Sequence, residues 1–186
     1  MTKLIAVVGL PGSGKTETIE YLKKEHNWPN IYLGEATFDR LKVEGLEINQ
    51  VNEKMMREKI REELGMAAYA ILAMKKIEKE SSSHNIITLE SLYSWEEYIT
   101  LKEKYKDNFK VIAVYASPKI RENRLKLRKI RPLKTNKEFT DRDYSQIINL
   151  KQAGPIARAD YTIINETSLS DLHKNIKHII KKLIVS

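Results

Sequence analysis

Short apolar runs alternate with helical patterns along this chain. Lys3–Val8 (KLIAVV) is an apolar run closed by Gly9, the pattern of a strand buried on both faces. Similar runs at residues 30–33, 85–89, 110–115 and 160–164 predict four more strands. Between them, residues 16–26 have a helical composition, and residues 34–45 read as a polar segment. From about 49 to 80 the pattern is helical, with Val51, Met55, Met56, Ile60 and Leu64 on helical spacings and Gly65 as a break. Ser94-Trp-Glu-Glu97 has the form of a capping box and opens a helix to about 105. Ser117-Pro118 starts another, expected to reach about 130. A polar loop at 132–138, a helix at 139–152 ended by Gly154-Pro155, and a last helix capped by Ser168-x-x-Asp171 complete the pattern. In that last helix Leu169, Leu172, Ile176, Ile179 and Leu183 form one stripe. Strands alternating with helices predict an α/β fold, a parallel sheet covered on both faces, in a single domain of residues 1–186.

Composition narrows the class. An apolar share of 41% with 31% charged residues is that of a globular chain, and no apolar run is long enough for a membrane span. Cys is absent, which removes disulfides and thiolate chemistry and fits a cytoplasmic setting. The net charge of +8 invites a nucleic-acid partner, but residues 119–137 alone carry nine basic residues against the single acid Glu122. The excess is one local segment, so a general polyanion-binding surface is not expected.

The strongest chemical signal is Gly9-Leu-Pro-Gly12-Ser13-Gly14-Lys15-Thr16, a full G-x-x-x-x-G-K-[ST] P-loop (Walker A) between a predicted strand and a predicted helix. The glycines let backbone N–H groups turn inward on phosphates, and the helix start adds its positive end. Lys15 is expected on the β- and γ-phosphates of ATP, and the Thr16 hydroxyl on Mg²⁺.

Ligands of such sheets bind beyond the carboxyl ends of the strands. There Glu90 is the candidate carboxylate to orient water on Mg²⁺ or polarise an acceptor, and Tyr93 and Trp95 could line a pocket. Arg121, Arg124, Arg128 and Arg131 are spaced 3, 4 and 3 apart, which on a continuous helix puts them on one stripe. Four guanidiniums with little nearby acid suit a phosphate clamp, because each fork binds phosphate oxygens bidentately. Arg142 could close on the same phosphates, with residues 131–142 as a mobile lid that excludes water. His26, His84, His173 and His178 show no ligand spacing and read as solvated.

With these pieces the chain resembles the small P-loop kinases: adenylate kinase, dephospho-CoA kinase and an archaeal-type group of adenylate-kinase-related proteins. The last resemblance spans nearly the whole chain. It rests on residues 9–16, Leu33-Gly34-Glu35, Gly45-Leu46-Glu47, Arg61-Glu-Glu-Leu-Gly65, Ala116-Ser-Pro118, Glu138-Phe-Thr-Asp-Arg142-Asp143 and Ala159-Asp160-Tyr161…Asn165. It implies a three-layer α/β/α P-loop fold with a five-stranded parallel sheet, a helical acceptor-binding insert at about 35–80 and a lid at about 131–142. It also implies that Arg124 stacks on the nucleobase, that Arg128 holds phosphate, and that Asn165 lies against the adenine. Two places depart from that group. Where it tends to have an Asp-Gly-Ile-Arg-Ser stretch after the third strand, this chain has Glu90-Ser-Leu-Tyr93-Ser94. Where it tends to have an Arg after the second strand, this chain has Phe38.

The sequence therefore predicts a kinase that passes the γ-phosphate of ATP to a small nucleotide or nucleotide-like acceptor. Lys15, Arg128, Arg131 and Arg142 would stabilise charge, and Thr16 and Glu90 would serve the metal. Gly9, Gly12, Ser13, Gly14, Arg124 and Asn165 would hold the nucleotide, and Glu35, Phe38, Arg40, Arg61 and Tyr93 the acceptor, with Arg57 as a further cation. Phe38 and Tyr93 keep a second class open, a nucleotide-binding regulatory module or slow ATPase with a degenerate acceptor site. The basic segment suggests a third, a kinase of nucleic-acid ends, against which its confinement to the lid speaks.

Overall fold

The computed structural model describes residues 2–185. The apolar runs form β1 (Lys3–Val8), β2 (Asn30–Tyr32), β3 (Ile86–Glu90), β4 (Phe109–Tyr115) and β5 (Tyr161–Ile164). They pair in the order β2-β3-β1-β4-β5, every pair parallel. The central strand is the most apolar: Leu4 to Val8 have no exposed surface. Alternation along it sends side chains to both faces, as a strand's period of two requires. Leu4, Ala6 and Val8 join one core, Ile5 and Val7 the other.

On the second of these faces lie α1 (Lys15–His26) and α9 (Leu169–Val185), packing Ile19, Leu22, Leu172, Ile176, Ile179, Ile180 and Leu183 onto the sheet. Leu169, expected on that stripe, is instead 54% exposed at the first position of the helix. The first face is covered by α2 (Glu35–Val43), α3 (Gln50–Leu64), α4 (Ala68–Ser81) and α5 (Trp95–Tyr105). The chain reaches the remaining strands through α6 (Pro118–Lys126), α7 (Asn136–Ile148) and α8 (Ala153–Ala157). Among the described residues no helix is long and apolar enough to cross a membrane.

The local stop and start signals operate as chemistry dictates. The Ser94 hydroxyl accepts from Glu97 N at 3.0 Å, while the Glu97 carboxylate accepts from Ser94 N at 3.0 Å, a complete capping box. Asn49 caps α3 by accepting from Asn52 N at 2.9 Å, and Gly65 ends it at φ 76°.

Four expectations are corrected. Residues 35–43, which the pattern alone read only as a polar segment, are helical, in line with the helical insert the resemblance implied, because Thr37 and Leu41 face the core from an otherwise polar stretch. The helix from Pro118 stops at Lys126, not near 130: Leu133 N donates to Leu125 O at 3.1 Å, taking the carbonyl that a further helical turn would use. The next helix starts at Asn136, inside the expected loop, because Thr135 caps it by accepting from Glu138 N at 3.1 Å. Gly154 and Pro155 lie within α8 rather than ending α7.

Candidate functional site

The P-loop joins β1 to α1 at the carboxyl edge of the sheet. Gly9 and Gly14 have φ of 148° and 109°, where L side chains are strained. Space closes the case for Gly14: a Cβ there would stand 2.2 Å from the Asn165 amide nitrogen. Asn165, just past β5, is buried, and its amide donates to Ser13 O at 2.7 Å. Gln152 fixes the other end, donating to Gly9 O at 3.0 Å. Asn165 thus holds the loop, and the Arg124 guanidinium reaches both Asn165 Oδ1 and Gly12 O at 3.5 Å.

Lys15 folds back on the loop, its ammonium donating to Gly9 O at 2.6 Å and Leu10 O at 3.2 Å. Desolvation lowers its pKa to about 8, helped by Arg142, Arg121 and Arg128 and opposed by Glu90. A lysine surrounded by cations and short of water is poised to take an anion.

A cleft of about 370 Å³ opens above the loop, lined by Gly12, Gly14, Lys15, Thr16, Glu90, Arg124, Arg128 and Arg142 among others. Six sequence-predicted phosphate and metal residues therefore meet there: Lys15, Thr16, Glu90, Arg124, Arg128 and Arg142. The parallel register puts Glu90 beside Val7, level with the start of the loop, and Asn30 Nδ2 donates to its carboxylate at 3.2 Å. Among the described residues no cluster of three or more His, Asp and Glu is arranged to hold a metal ion. A hydroxyl at Thr16 and a carboxylate at Glu90 on one cleft suit Mg²⁺, which keeps waters and phosphate oxygens as most of its ligands.

A second cavity of about 290 Å³ lies under the insert helices. Its aromatic lining is Tyr32, Phe38, Tyr69 and Tyr93, and its cations are Arg57, Arg61, Arg131 and Arg142. The two spaces share Ser91, Tyr93, Arg142 and Gln146 as a common wall. Ser91 sits there at φ 67°, a conformation costly for a non-glycine residue, with its hydroxyl 3.1 Å from that of Tyr93. Glu97, 1% exposed, anchors this turn by accepting from Tyr93 N at 2.8 Å; burial pushes its pKa up to about 7 against those backbone hydrogen bonds. Burial, then Arg128, holds the Arg142 guanidinium below its usual value.

Several sequence-predicted residues fall elsewhere. Arg121 is not on the stripe facing the phosphates but buried at 3% exposure. It forms a bidentate pair with Asp143, donates to Ala116 O and Pro11 O, and lies over the Phe139 ring. Arg131 has left the helix, lines only the second cavity and pairs with Glu53. Glu35 and Arg40 line neither space: Glu35 is ion-paired with Lys76, and Arg40 with Glu63 at 2.6 Å. Ser13 turns its hydroxyl beneath the loop, where it is buried without a hydrogen-bond partner. Trp95 packs on Tyr98 in the core, not at the cleft. Tyr32, Glu53, Tyr69, Ser91 and Gln146 were not singled out from sequence; only the chain's return to the sheet edge brings them together.

A UPF0200 protein of Pyrococcus abyssi is 31% identical over 183 residues, covering 97% of each chain. The chain belongs to the UPF0200 family. A second UPF0200 protein, from Methanocaldococcus jannaschii, is also 31% identical, over 97% of this chain and 90% of its own. The family described as an AAA domain matches residues 5–148 of this UPF0200 chain, from β1 to the end of α7. Solved structures extend the likeness of fold. A Thermus thermophilus protein superposes with a TM-score of 0.68 at 18% identity, covering 98% of both chains. The shikimate kinase of Acinetobacter baumannii in complex with shikimate gives 0.63 at 16%, covering 100% of this chain and 94% of its own. A gluconokinase of Sinorhizobium meliloti gives 0.56 at 14%, covering 98% and 96%. The fold is that of a P-loop NTPase of the small-kinase kind.

Proposed function

We propose that this protein is an ATP-dependent phosphotransferase acting on a small nucleotide or nucleotide-like acceptor. The observation that carries this reading is the pair of abutting cavities, one on the P-loop and one under the insert, with Arg142 lining both. A switch or simple ATPase needs only the first. Transfer needs two reactants held within reach of each other, and that adjacency accounts for much of an enzyme's advantage.

In this reading the P-loop backbone, Lys15 and Arg128 hold the triphosphate and Arg124 borders the base, while Asn165, expected against the adenine, is buried behind the loop and holds it in shape. Thr16 and Glu90 would hold Mg²⁺, directly and through water. When bound, the metal neutralises charge on the β- and γ-phosphates. Arg142 stands where negative charge would spread during transfer, which is where a fixed cation is worth most. Residues 35–80 supply the acceptor wall, and the cover, expected at about 131–142, falls instead to the loop at 127–135 because residues 136–148 are helix. Phe38 and Tyr93, the aromatic departures, line an open cavity rather than fill it. The four arginines there support a working acceptor site over a degenerate one. The confinement of the basic excess to residues 119–137, with Arg121 buried, gives a nucleic-acid acceptor no comparable support.

Incubation with Mg·ATP and a panel of nucleoside monophosphates, dephospho-CoA, shikimate and gluconate tests the reading. Transfer to a nucleotide is expected. ATP binding with hydrolysis indifferent to every acceptor would turn the reading toward a regulatory module.

A further inference from the structure

Glu53 is buried to 5% exposure in the first turn of α3, where it lines the second cavity with Arg57, Arg61, Arg131 and Arg142. Its Oε1 accepts from Arg131 Nη2 at 3.0 Å, and its Oε2 from Arg131 Nη1 and Arg57 Nη1, both at 3.4 Å. A carboxylate facing two guanidinium forks is the arrangement an incoming phosphate or carboxylate would itself take. Meanwhile Arg61 Nε is buried without a hydrogen-bond partner, its guanidinium 5.0 Å over the Tyr69 ring. Arg61 is thus short of an acceptor at Nε while Arg57 and Arg131 both spend theirs on Glu53.

Arg131 comes from the loop between α6 and α7, at φ 52°, and lines the second cavity but not the P-loop cleft. Glu53 therefore ties that loop to the insert.

We propose that Glu53 is an internal competitor for the anionic group of the acceptor: an acceptor bearing a phosphate or carboxylate lands on Arg61 and Arg57, loosens Glu53 from Arg131, and so releases Arg131 toward the P-loop cleft. What Arg131 does once released rests on the phosphotransferase reading; the competition itself is a binding event and does not. It makes an anionic group a requirement of the acceptor, because a neutral molecule would leave the Glu53–Arg131 pair in place. It also withholds one cation from ATP until an acceptor is present.

The test is calorimetric titration of inorganic phosphate into the wild type, Glu53→Gln and the double variant Glu53→Gln/Arg61→Gln. Removing the competing charge should tighten phosphate binding about tenfold, and the double variant should lose that gain. No gain in Glu53→Gln, or a gain that survives loss of Arg61, overturns the proposal. If Glu53→Gln does not fold, Arg131→Gln breaks the same pair from its half-exposed side. Freeing the Glu53 charge should then weaken phosphate binding several-fold, and unchanged binding overturns the proposal. A gain in Glu53→Gln with no transfer to any acceptor would remove the kinase reading and leave the competition standing.

Discussion

Arg121 and Asp143 meet in a buried bidentate pair, Nη1–Oδ1 at 2.5 Å and Nη2–Oδ2 at 2.7 Å, that bolts α6 to α7. Breaking such a pair from one side strands a charge away from water. Asp143→Ala should therefore cost about 3–5 kcal/mol of stability, read by urea denaturation. A loss below about 1 kcal/mol would mean that the pair behaves as a surface one.

Lys15 makes nucleotide affinity depend on pH. Its pKa of about 8 in the free protein lies below the ordinary lysine value, so the ammonium is fully charged only below that pH. Bound phosphates favour the charged form and raise the value again. Binding at pH 9 should therefore take up about one proton, and affinity should fall by up to about tenfold per unit as pH rises above about 8. Calorimetry in buffers of different ionisation enthalpy measures the uptake, and Lys15→Met should abolish it. Without ligand the sign reverses. The charged lysine costs the fold stability below about 8, and that cost fades toward its unfolded value of 10.5. Lys15→Met should thus stabilise the free protein at neutral pH.

Glu97 predicts a second pH effect, of the opposite kind to a salt-bridged acid. Its carboxyl titrates near 7 in the fold and at 4.5 when unfolded, so the native state binds more protons between those values. Its contribution is most favourable below about 4.5 and is lost as pH rises through about 7. Glu97→Gln should flatten the stability difference between pH 5 and 8 by about 3 kcal/mol, measured by paired denaturation curves. An unaltered difference would show that the charge is solvated.

Arg142→Gln should separate chemistry from binding. If Arg142 meets charge that develops during transfer, turnover should fall about 100-fold or more, while the KM values for ATP and acceptor change much less. A rise in KM at unchanged turnover would make it a binding residue only.

The strands and the P-loop were legible because their signals are local: apolar runs closed by glycine, and a motif in which nearly every position has a task. The predicted stripe of arginines fails because it assumed a helix continuing past Lys126. No glycine or proline stands there, and the stop comes from Leu133 returning to Leu125. The stripe could not reveal that Arg121 faces inward either, since its partner lies in another helix. Glu53 shows the same limit. In sequence it is one acid with Arg57 a helical turn away, and only the packing of a distant loop adds the Arg131 guanidinium.

The Arg121–Asp143 bolt has a consequence for how this family could diversify. It fixes both posts between which residues 127–135 are strung, so, Arg128, Arg131 and the Thr135 cap apart, that stretch is free to change in length. Doubling the length of such a loop costs only about 0.6 kcal/mol in closure entropy. New lengths and new tips could be tried there without disturbing the sheet, the P-loop or the position of Arg142.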